Sequence, residues 1–146
     1  MEIALELEHS VEVDVSPEFA WKYRTDIANW SDPPARFVLD GPFVAGSRGT
    51  TLLPGQPPLQ WTIQAVQPPT SFIIEMQLER AVLTFEWRFD AVSERKTRIT
   101  QRIVLAGDNA EAYKEQVEAG FRSGIADGMK RIAIDMAAAE KRSSSS

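Results

Sequence analysis

Residues 107–142 read GDNAEAYKEQVEAGFRSGIADGMKRIAIDMAAAEKR, and their apolar residues recur with a period of 3.6 after the Gly107-Asp108-Asn109 turn. This period predicts one amphipathic helix of about thirty residues that ends near Arg142. A helix with one apolar side must bury that side against another layer, so we expect a sheet to cover it. The apolar arc consists of Val117, Phe121, Ile125, Ile132 and Met136.

The N-terminal residues predict a strand followed by two short helices. Residues 2–15 alternate between apolar and polar side chains, which is typical of a strand with one buried face. Ser16-Pro17-Glu18 provides an N-cap, a proline at the first helical position and an early acid, so a helix should run to about Asp26. Residues 27–30 add one helical turn before Asp32-Pro33-Pro34 prevents continuation.

Between Arg36 and Leu105 the apolar period changes to 2, with turns rich in Gly, Pro, Ser and Asp. This pattern predicts about six antiparallel strands with one polar face. Glu79-Arg80 is an unusual turn, because tight hairpins normally carry Gly or Asn at positions of positive φ. Together the elements predict an α+β protein: an antiparallel sheet of about seven strands on a long C-terminal helix, with two short helices after the first strand.

Composition excludes several classes of function. The chain has 146 residues, which we assign to one domain at residues 1–142 and a disordered serine tail at 143–146. With no cysteine and one histidine, we expect no thiol chemistry, no metal and no cofactor. The net charge of −5 disfavours nucleic acid as a partner. No apolar run suits membrane insertion, and we expect a cytoplasmic protein.

Several short segments carry a resemblance to a known superfamily. They are residues 2–21, Asp26-Ile27-Ala28-Asn29-Trp30, residues 43–49, Val66-Gln67-Pro68-Pro69 and residues 120–124. In this order they resemble the SRPBCC superfamily, which includes START lipid-transfer domains, birch-pollen-allergen-like proteins, polyketide cyclases and activators of a heat-shock-protein ATPase. The resemblance implies the helix-grip fold, in which a curved sheet wraps the last helix. It implies no single activity, because binders, carriers and enzymes share this fold.

Three glycines recur every four residues on one flank of the predicted helix: Gly120, Gly124 and Gly128. Relative to alanines they cost the helix about 2.5–3 kcal/mol, so a tertiary benefit should offset them. One interpretation is that the missing side chains leave space for a ligand. The alternative, with equal weight, is close backbone packing or a bend in the helix.

Two polar residues fall on the apolar side of their strands, His9 in the first and Gln101 in the last. In the helix-grip layout these strands are neighbours, so the two side chains can touch, and a hydrogen-bonded core pair is the simpler interpretation. His9 is also the only side chain whose ordinary pKa is near neutral, so we treat it and Tyr113 as candidates for proton transfer.

Three hypotheses for the function follow. The first is binding of an apolar or aromatic small molecule in a cavity between sheet and helix. The second is an enzyme similar to a polyketide cyclase or dehydratase that uses the same cavity. The third is an interaction protein similar to the chaperone ATPase activators. A protein partner would use the outer sheet face or the loops at 54–58 and 68–70, and a homodimer would use an exposed sheet edge or the outer sheet face. The expected ligand-binding residues are His9, Trp61, Ile63, Phe72, Ile74, Met76, Phe85, Trp87, Phe89, Gln101, Ile103, Phe121, Gly124 and Gly128.

Overall fold

The computed structural model describes residues 2–144, in which one antiparallel sheet packs against three α-helices. The strands are β1 (Ile3–Val13), β2 (Arg36–Asp40), β3 (Arg48–Leu52), β4 (Leu59–Gln67), β5 (Ser71–Leu78), β6 (Ala81–Ser93) and β7 (Lys96–Ala106). The helices are α1 (Pro17–Arg24), α2 (Glu111–Phe121) and α3 (Ile125–Ser144), and a 3-10 turn at Ile27–Asn29 follows α1. The predicted fold class, with seven strands and two short helices after the first strand, is confirmed.

The sheet order is β1-β7-β6-β5-β4-β3-β2, so every strand after β1 lies beside its neighbour in sequence. The first strand closes against the last one, as the helix-grip layout implies. Side chains of odd-numbered residues in β1 and β7 lie on the inner face, where Leu5, Leu7, Ile99 and Ile103 are buried. The inner face is the one that the helices cover.

The first helix begins as its sequence predicts. Ser16 is the N-cap, and its hydroxyl accepts a hydrogen bond of 3.1 Å from the backbone N–H of Phe19. Pro17 occupies the first turn, where its missing N–H has no cost. The Asp26 carboxylate caps the 3-10 turn by accepting from the Ala28 N–H at 3.0 Å. These local bonds fix the end of α1 at Arg24.

The C-terminal helix is interrupted, which corrects the prediction of one continuous helix. α2 ends at Phe121, residues 122–124 form a turn, and α3 begins at Ile125. The Gly124 N–H bonds to the Phe121 carbonyl oxygen at 3.2 Å, one residue nearer than an α-helix requires. α3 continues to Ser144, beyond the predicted end, and residues 145 and 146 of the predicted tail lie outside the described residues. None of the helices in residues 2–144 is both long and apolar enough to span a membrane.

The unusual turn between β5 and β6 is present. Leu78 pairs with Ala81, and Arg80 adopts the left-handed conformation with φ +55°. Asn109 supports this strained turn: its side-chain amide donates to the Glu79 carbonyl oxygen at 3.1 Å, and its backbone N–H donates to the Arg80 carbonyl oxygen at 2.9 Å. The segment before α2 thus compensates for a conformation that costs a non-glycine residue about 1–2 kcal/mol.

Candidate functional site

Two apolar clusters occupy the inner face of the sheet. The larger cluster packs against α3 through the buried side chain of Met129, and the smaller one packs against α2 through Val117. The half-buried side chains of Met76, Phe85 and Ile125 contact both clusters. The boundary between the clusters therefore lies beside the break between α2 and α3.

A diagonal line of half-buried side chains marks this boundary on the sheet. It crosses four neighbouring strands through His9 on β1, Gln101 on β7, Phe85 on β6 and Met76 on β5, and we call it the diagonal strip. Burial is interrupted there: Gln101 lies between Ile99 and Ile103, which are 0% and 1% exposed. Phe121, the last residue of α2, packs edge-on against Phe85 with ring centroids 5.6 Å apart. The break between α2 and α3 thus lies beside the strip, so the helices do not cover the strip continuously.

His9 and Gln101 lie opposite each other in the β1–β7 register, as the sequence predicted. Gln101 in turn lies opposite Trp87 in the β7–β6 register. No hydrogen bond joins the His9 and Gln101 side chains to each other or to other residues of the described chain. Their polar atoms keep exposed surface instead, so they can bond to water or to a ligand.

Arg24, the last residue of α1, places a cation beside the row of opposed residues His9, Gln101 and Trp87. Its guanidinium carbon lies 4.6 Å from the ring centroid of Trp30 and 4.3 Å from that of Trp87. The Trp30 indole N–H donates to the Arg24 carbonyl oxygen at 2.7 Å, which holds this ring over the guanidinium. Because Trp87 lies opposite Gln101, its contact with Arg24 brings the cation close to the diagonal strip.

The Arg24 guanidinium has no counter-charge among residues 2–144. Its Nε is buried and has no hydrogen-bond partner within residues 2–144. Burial lowers the pKa of Arg24 from its ordinary value to about 10, and the nearby Tyr23 opposes this shift only in part. The group therefore remains charged at neutral pH. A partly buried charge without a partner is costly, and such groups mark candidate functional sites.

Stacked rings form the walls around this cation. Trp30 stacks on Trp61 with centroids 5.6 Å apart, and Phe72 stacks on Trp87 with centroids 6.1 Å apart. Gly49 lies opposite Trp61 on the neighbouring strand, where a Cβ atom would overlap the Trp61 ring. The glycine is thus the residue that lets Trp61 lie flat on β3 and meet Trp30.

The three glycines of the C-terminal helices do not pack closely against other parts of the chain. A Cβ atom at Gly120 or Gly128 would meet nothing within 4 Å, and one at Gly124 would meet only the Gly120 carbonyl oxygen at 3.9 Å. The prediction of close backbone packing is therefore wrong, whereas the break at Gly124 agrees with the predicted bend. Gly128 is half-buried, so the open space beside it lies at the edge of the interior.

A bridge between α3 and the loop after the 3-10 turn lies on the same side as Gly128. Arg131 follows Gly128 by three residues, which places both on one side of the helix. The Arg131 Nη2 atom lies 3.1 Å from the Asp32 carboxylate, and Asp32 follows Trp30 closely in sequence. The space beside Gly128 thus faces the segment that carries Trp30.

Tyr113 lies far from His9. Its hydroxyl oxygen accepts a hydrogen bond of 3.2 Å from the Glu79 N–H, in the β5–β6 turn. From Ala81 to Trp87 the strand rises about 20 Å, which separates this turn from the row that contains His9. The two residues predicted for proton transfer are therefore not brought together.

The predicted ligand-binding residues fall into three groups by exposure. The half-buried side chains, which a ligand can reach, include Phe121 and the diagonal strip. Gly124 is exposed in the helix break. The buried side chains, which support the inner face, are Trp61, Ile63, Phe72, Ile74, Trp87, Phe89 and Ile103.

Arg24 and Trp30 were missed by the sequence interpretation. Arg24 follows the buried Ala20 by four residues, so it lies on the buried side of α1, and this spacing was the available signal. An arginine in the last turn of a helix is ordinarily explained by the helix dipole, which hides such a signal. Nothing in the sequence shows that Trp30 and Trp87 both contact the Arg24 guanidinium.

Prominent depressions of the described chain lie elsewhere. One of about 410 Å³ lies on the outer sheet face beside Ile73, Glu86 and Arg88. Another, of about 350 Å³, runs along the exposed side of α2 beside Glu118 and Arg122. Neither is the enclosed cavity between sheet and helix that the sequence predicted. At the inner face, the Arg24 guanidinium contacts both Trp30 and Trp87.

A comparison with protein families identifies the chain. The family described as "Polyketide cyclase / dehydrase and lipid transport" matches residues 4–136, nearly the whole chain. The protein belongs to this family. The match confirms the resemblance to the SRPBCC superfamily. Among curated proteins no relative was found.

Solved structures with a similar fold include two named enzymes and a protein whose printed name gives no activity. A point mutant of norcoclaurine synthase from Thalictrum flavum, in complex with a transition-state analogue, has a TM-score of 0.74 at 12% identity, covering 97% of this chain and 99% of that one. The Zhui aromatase/cyclase from Streptomyces sp. R1128 has a TM-score of 0.65 at 15% identity, covering 94% of both chains. Protein Ms6760 from Mycobacterium smegmatis has a TM-score of 0.65 at 19% identity, covering 98% of both. At these identities the similarity shows the helix-grip fold.

Proposed function

We propose that this protein binds an apolar or aromatic small molecule on the inner face of its sheet, at the diagonal strip. The observation that carries the proposal is that His9, Gln101, Phe85 and Met76 are half-buried on the inner face. Gln101 and Phe85 each lie between two buried residues of their strand, and His9 and Met76 each lie two residues after a buried one. Ligand sites are lined mainly by apolar and aromatic groups with a few polar ones, and the strip has this composition. The family description, which joins cyclases with lipid transport, supports an apolar ligand.

Entry of the ligand uses the break between α2 and α3. Phe121 and Ile125 flank the break, and both are half-buried. Small displacements of these side chains expose Phe85 and Met76, and methionine adapts readily to different shapes. Each Å² of apolar surface that the ligand removes from water contributes about 25 cal/mol, so burial supplies most of the affinity.

The first test compares two substitutions on adjacent residues of β1. His9→Trp fills the end of the strip, whereas Glu8→Trp adds the same ring to the exposed opposite face. Titration with the neutral dye N-phenyl-1-naphthylamine should show a loss of affinity of about tenfold or more for His9→Trp. Glu8→Trp should retain the wild-type affinity. Equal affinities in two variants with native circular dichroism would contradict binding at the strip.

A cyclase-like reaction in the same place is the alternative that the position of His9 favours. Its imidazole lies in the strip without a hydrogen-bond partner among residues 2–144, so it can reach a bound molecule. Tyr113 is too distant to act with it. Turnover of an aromatic polyketide that survives His9→Gln with an unchanged pH profile would remove His9 from such a mechanism.

A further inference from the structure

Arg24 has two aromatic neighbours. Its guanidinium carbon lies over the rings of Trp30 and Trp87, at 4.6 Å and 4.3 Å from their centroids. A guanidinium carries its five N–H donors along the edge of its own plane, and a cation–π contact uses none of them. An edge of this kind matches the two oxygens of a carboxylate, which it binds through parallel hydrogen bonds.

The described chain supplies no acceptor at this edge. No carboxylate within residues 2–144 forms an ion pair with Arg24. In the part of the chain that the structure describes, no side chain or backbone oxygen accepts a hydrogen bond from its guanidinium, and the Nε is buried without a partner there. Cation–π contacts stabilise the charge but leave its N–H donors unsatisfied. The accessible donors can therefore bond to water or to a ligand.

We infer that the ligand is an aromatic or apolar acid whose carboxylate pairs with the edge of the Arg24 guanidinium. This inference rests on the proposed binding function and specifies the class of ligand. The carboxylate meets Arg24 beside Trp87, and the apolar body of the ligand extends over Gln101 toward the diagonal strip. The overall charge of −5 does not attract anions, so recognition depends on this local contact.

The test uses two probes of equal shape, 2-naphthoate and the neutral 2-naphthamide, measured by isothermal titration calorimetry. Wild-type protein should bind the acid about tenfold or more tightly than the amide. Arg24→Gln should remove this preference, because it should weaken binding of the acid much more than binding of the amide. Arg24→Lys, which keeps the charge but loses the planar fork, should retain only part of the preference. Arg88→Gln, on the exposed outer face, is the matched control and should behave as wild type.

The outcomes separate this inference from the proposed function. Equal binding of acid and amide by the wild type would overturn the inference and leave the apolar site intact. The same holds if N-phenyl-1-naphthylamine binds but neither naphthalene probe does. An acid preference that persists in a natively folded Arg24→Gln protein would also overturn it. Failure of all three compounds to bind would overturn the proposed function as well. Arg24→Lys provides the same comparison if Arg24→Gln fails to fold.

Discussion

Arg24 keeps a positive charge in surroundings that favour a neutral side chain. Removing a guanidinium from water costs several kcal/mol, whereas each cation–π contact returns about 1–2 kcal/mol. Trp30 and Trp87 therefore offset the cost only in part. Because burial lowers the pKa of Arg24 to about 10, the cost is full below that pH and falls as the pH rises from there toward the ordinary pKa of arginine.

Arg24→Met should therefore stabilise the ligand-free protein. Methionine fills similar space without a charge, and we expect the free energy of unfolding to rise by about 1 kcal/mol. Urea denaturation at neutral pH measures the change. Arg88→Met, an exposed control on the outer face, should change stability by less than about 0.5 kcal/mol. A loss of stability in Arg24→Met would show that the ring contacts outweigh the buried charge.

At the scale of elements, ion pairs join the two strands that close the fold. Arg102 lies 2.7 Å from Glu6, and Arg98 lies 2.8 Å from Glu12, each across the β1–β7 boundary. The hydrogen bond from Arg102 lowers the pKa of Glu6 below its usual 4.5. A carboxylate with a lowered pKa stabilises the fold above its usual pKa, and this contribution is lost as the pH falls through the lowered value.

Glu6→Gln should accordingly weaken the acid sensitivity of the protein. The variant lacks the ionised carboxylate at every pH, so its stability should fall less steeply than that of the wild type below about pH 4.5. Because the pair is exposed, the difference should be small. Thermal unfolding across an acid series measures it, with Glu94→Gln in the β6–β7 turn as control. Parallel curves for Glu6→Gln and wild type would refute the expectation.

Elements were predictable from the sequence where one local signal determined them. The alternation in residues 2–15 and the Ser16 cap gave β1 and α1, because period and capping are properties of adjacent residues. The glycines predicted a bend as one interpretation, but division into two helices after Phe121 was not predicted, since the apolar arc continues through the break. The β5–β6 turn depends on Asn109, thirty residues from Glu79, which no local pattern shows. Arg24 was missed for the same reason: its environment comes from a distant strand.

At the scale of the whole molecule, the core is divided, and a ligand at the diagonal strip would join its two halves. The clusters share Met76, Phe85 and Ile125 but are otherwise separate. A molecule bound between them contacts only the folded state, so it stabilises the protein by mass action. The sequence predicted an enclosed cavity because hydrophobic periods place apolar residues on one face but do not show how tightly those residues pack.

Saturating 2-naphthoate should therefore raise the unfolding temperature. At a concentration of one hundred times Kd the expected gain is about 2.7 kcal/mol. For a domain of this size that corresponds to a rise of about 5–10 °C. Differential scanning calorimetry measures the shift, and Arg24→Gln at the same ligand concentration should show a much smaller one. An identical shift in both proteins would place the acid elsewhere.

The stacked tryptophans also give the protein an optical signal of its own. The chain has four tryptophans, and two of them, Trp30 and Trp87, touch the same guanidinium. Indole emission responds to a neighbouring charge, so any molecule that neutralises or displaces this cation should change the intrinsic fluorescence. Candidate compounds can therefore be screened against unlabelled protein, with the site reporting its own occupancy.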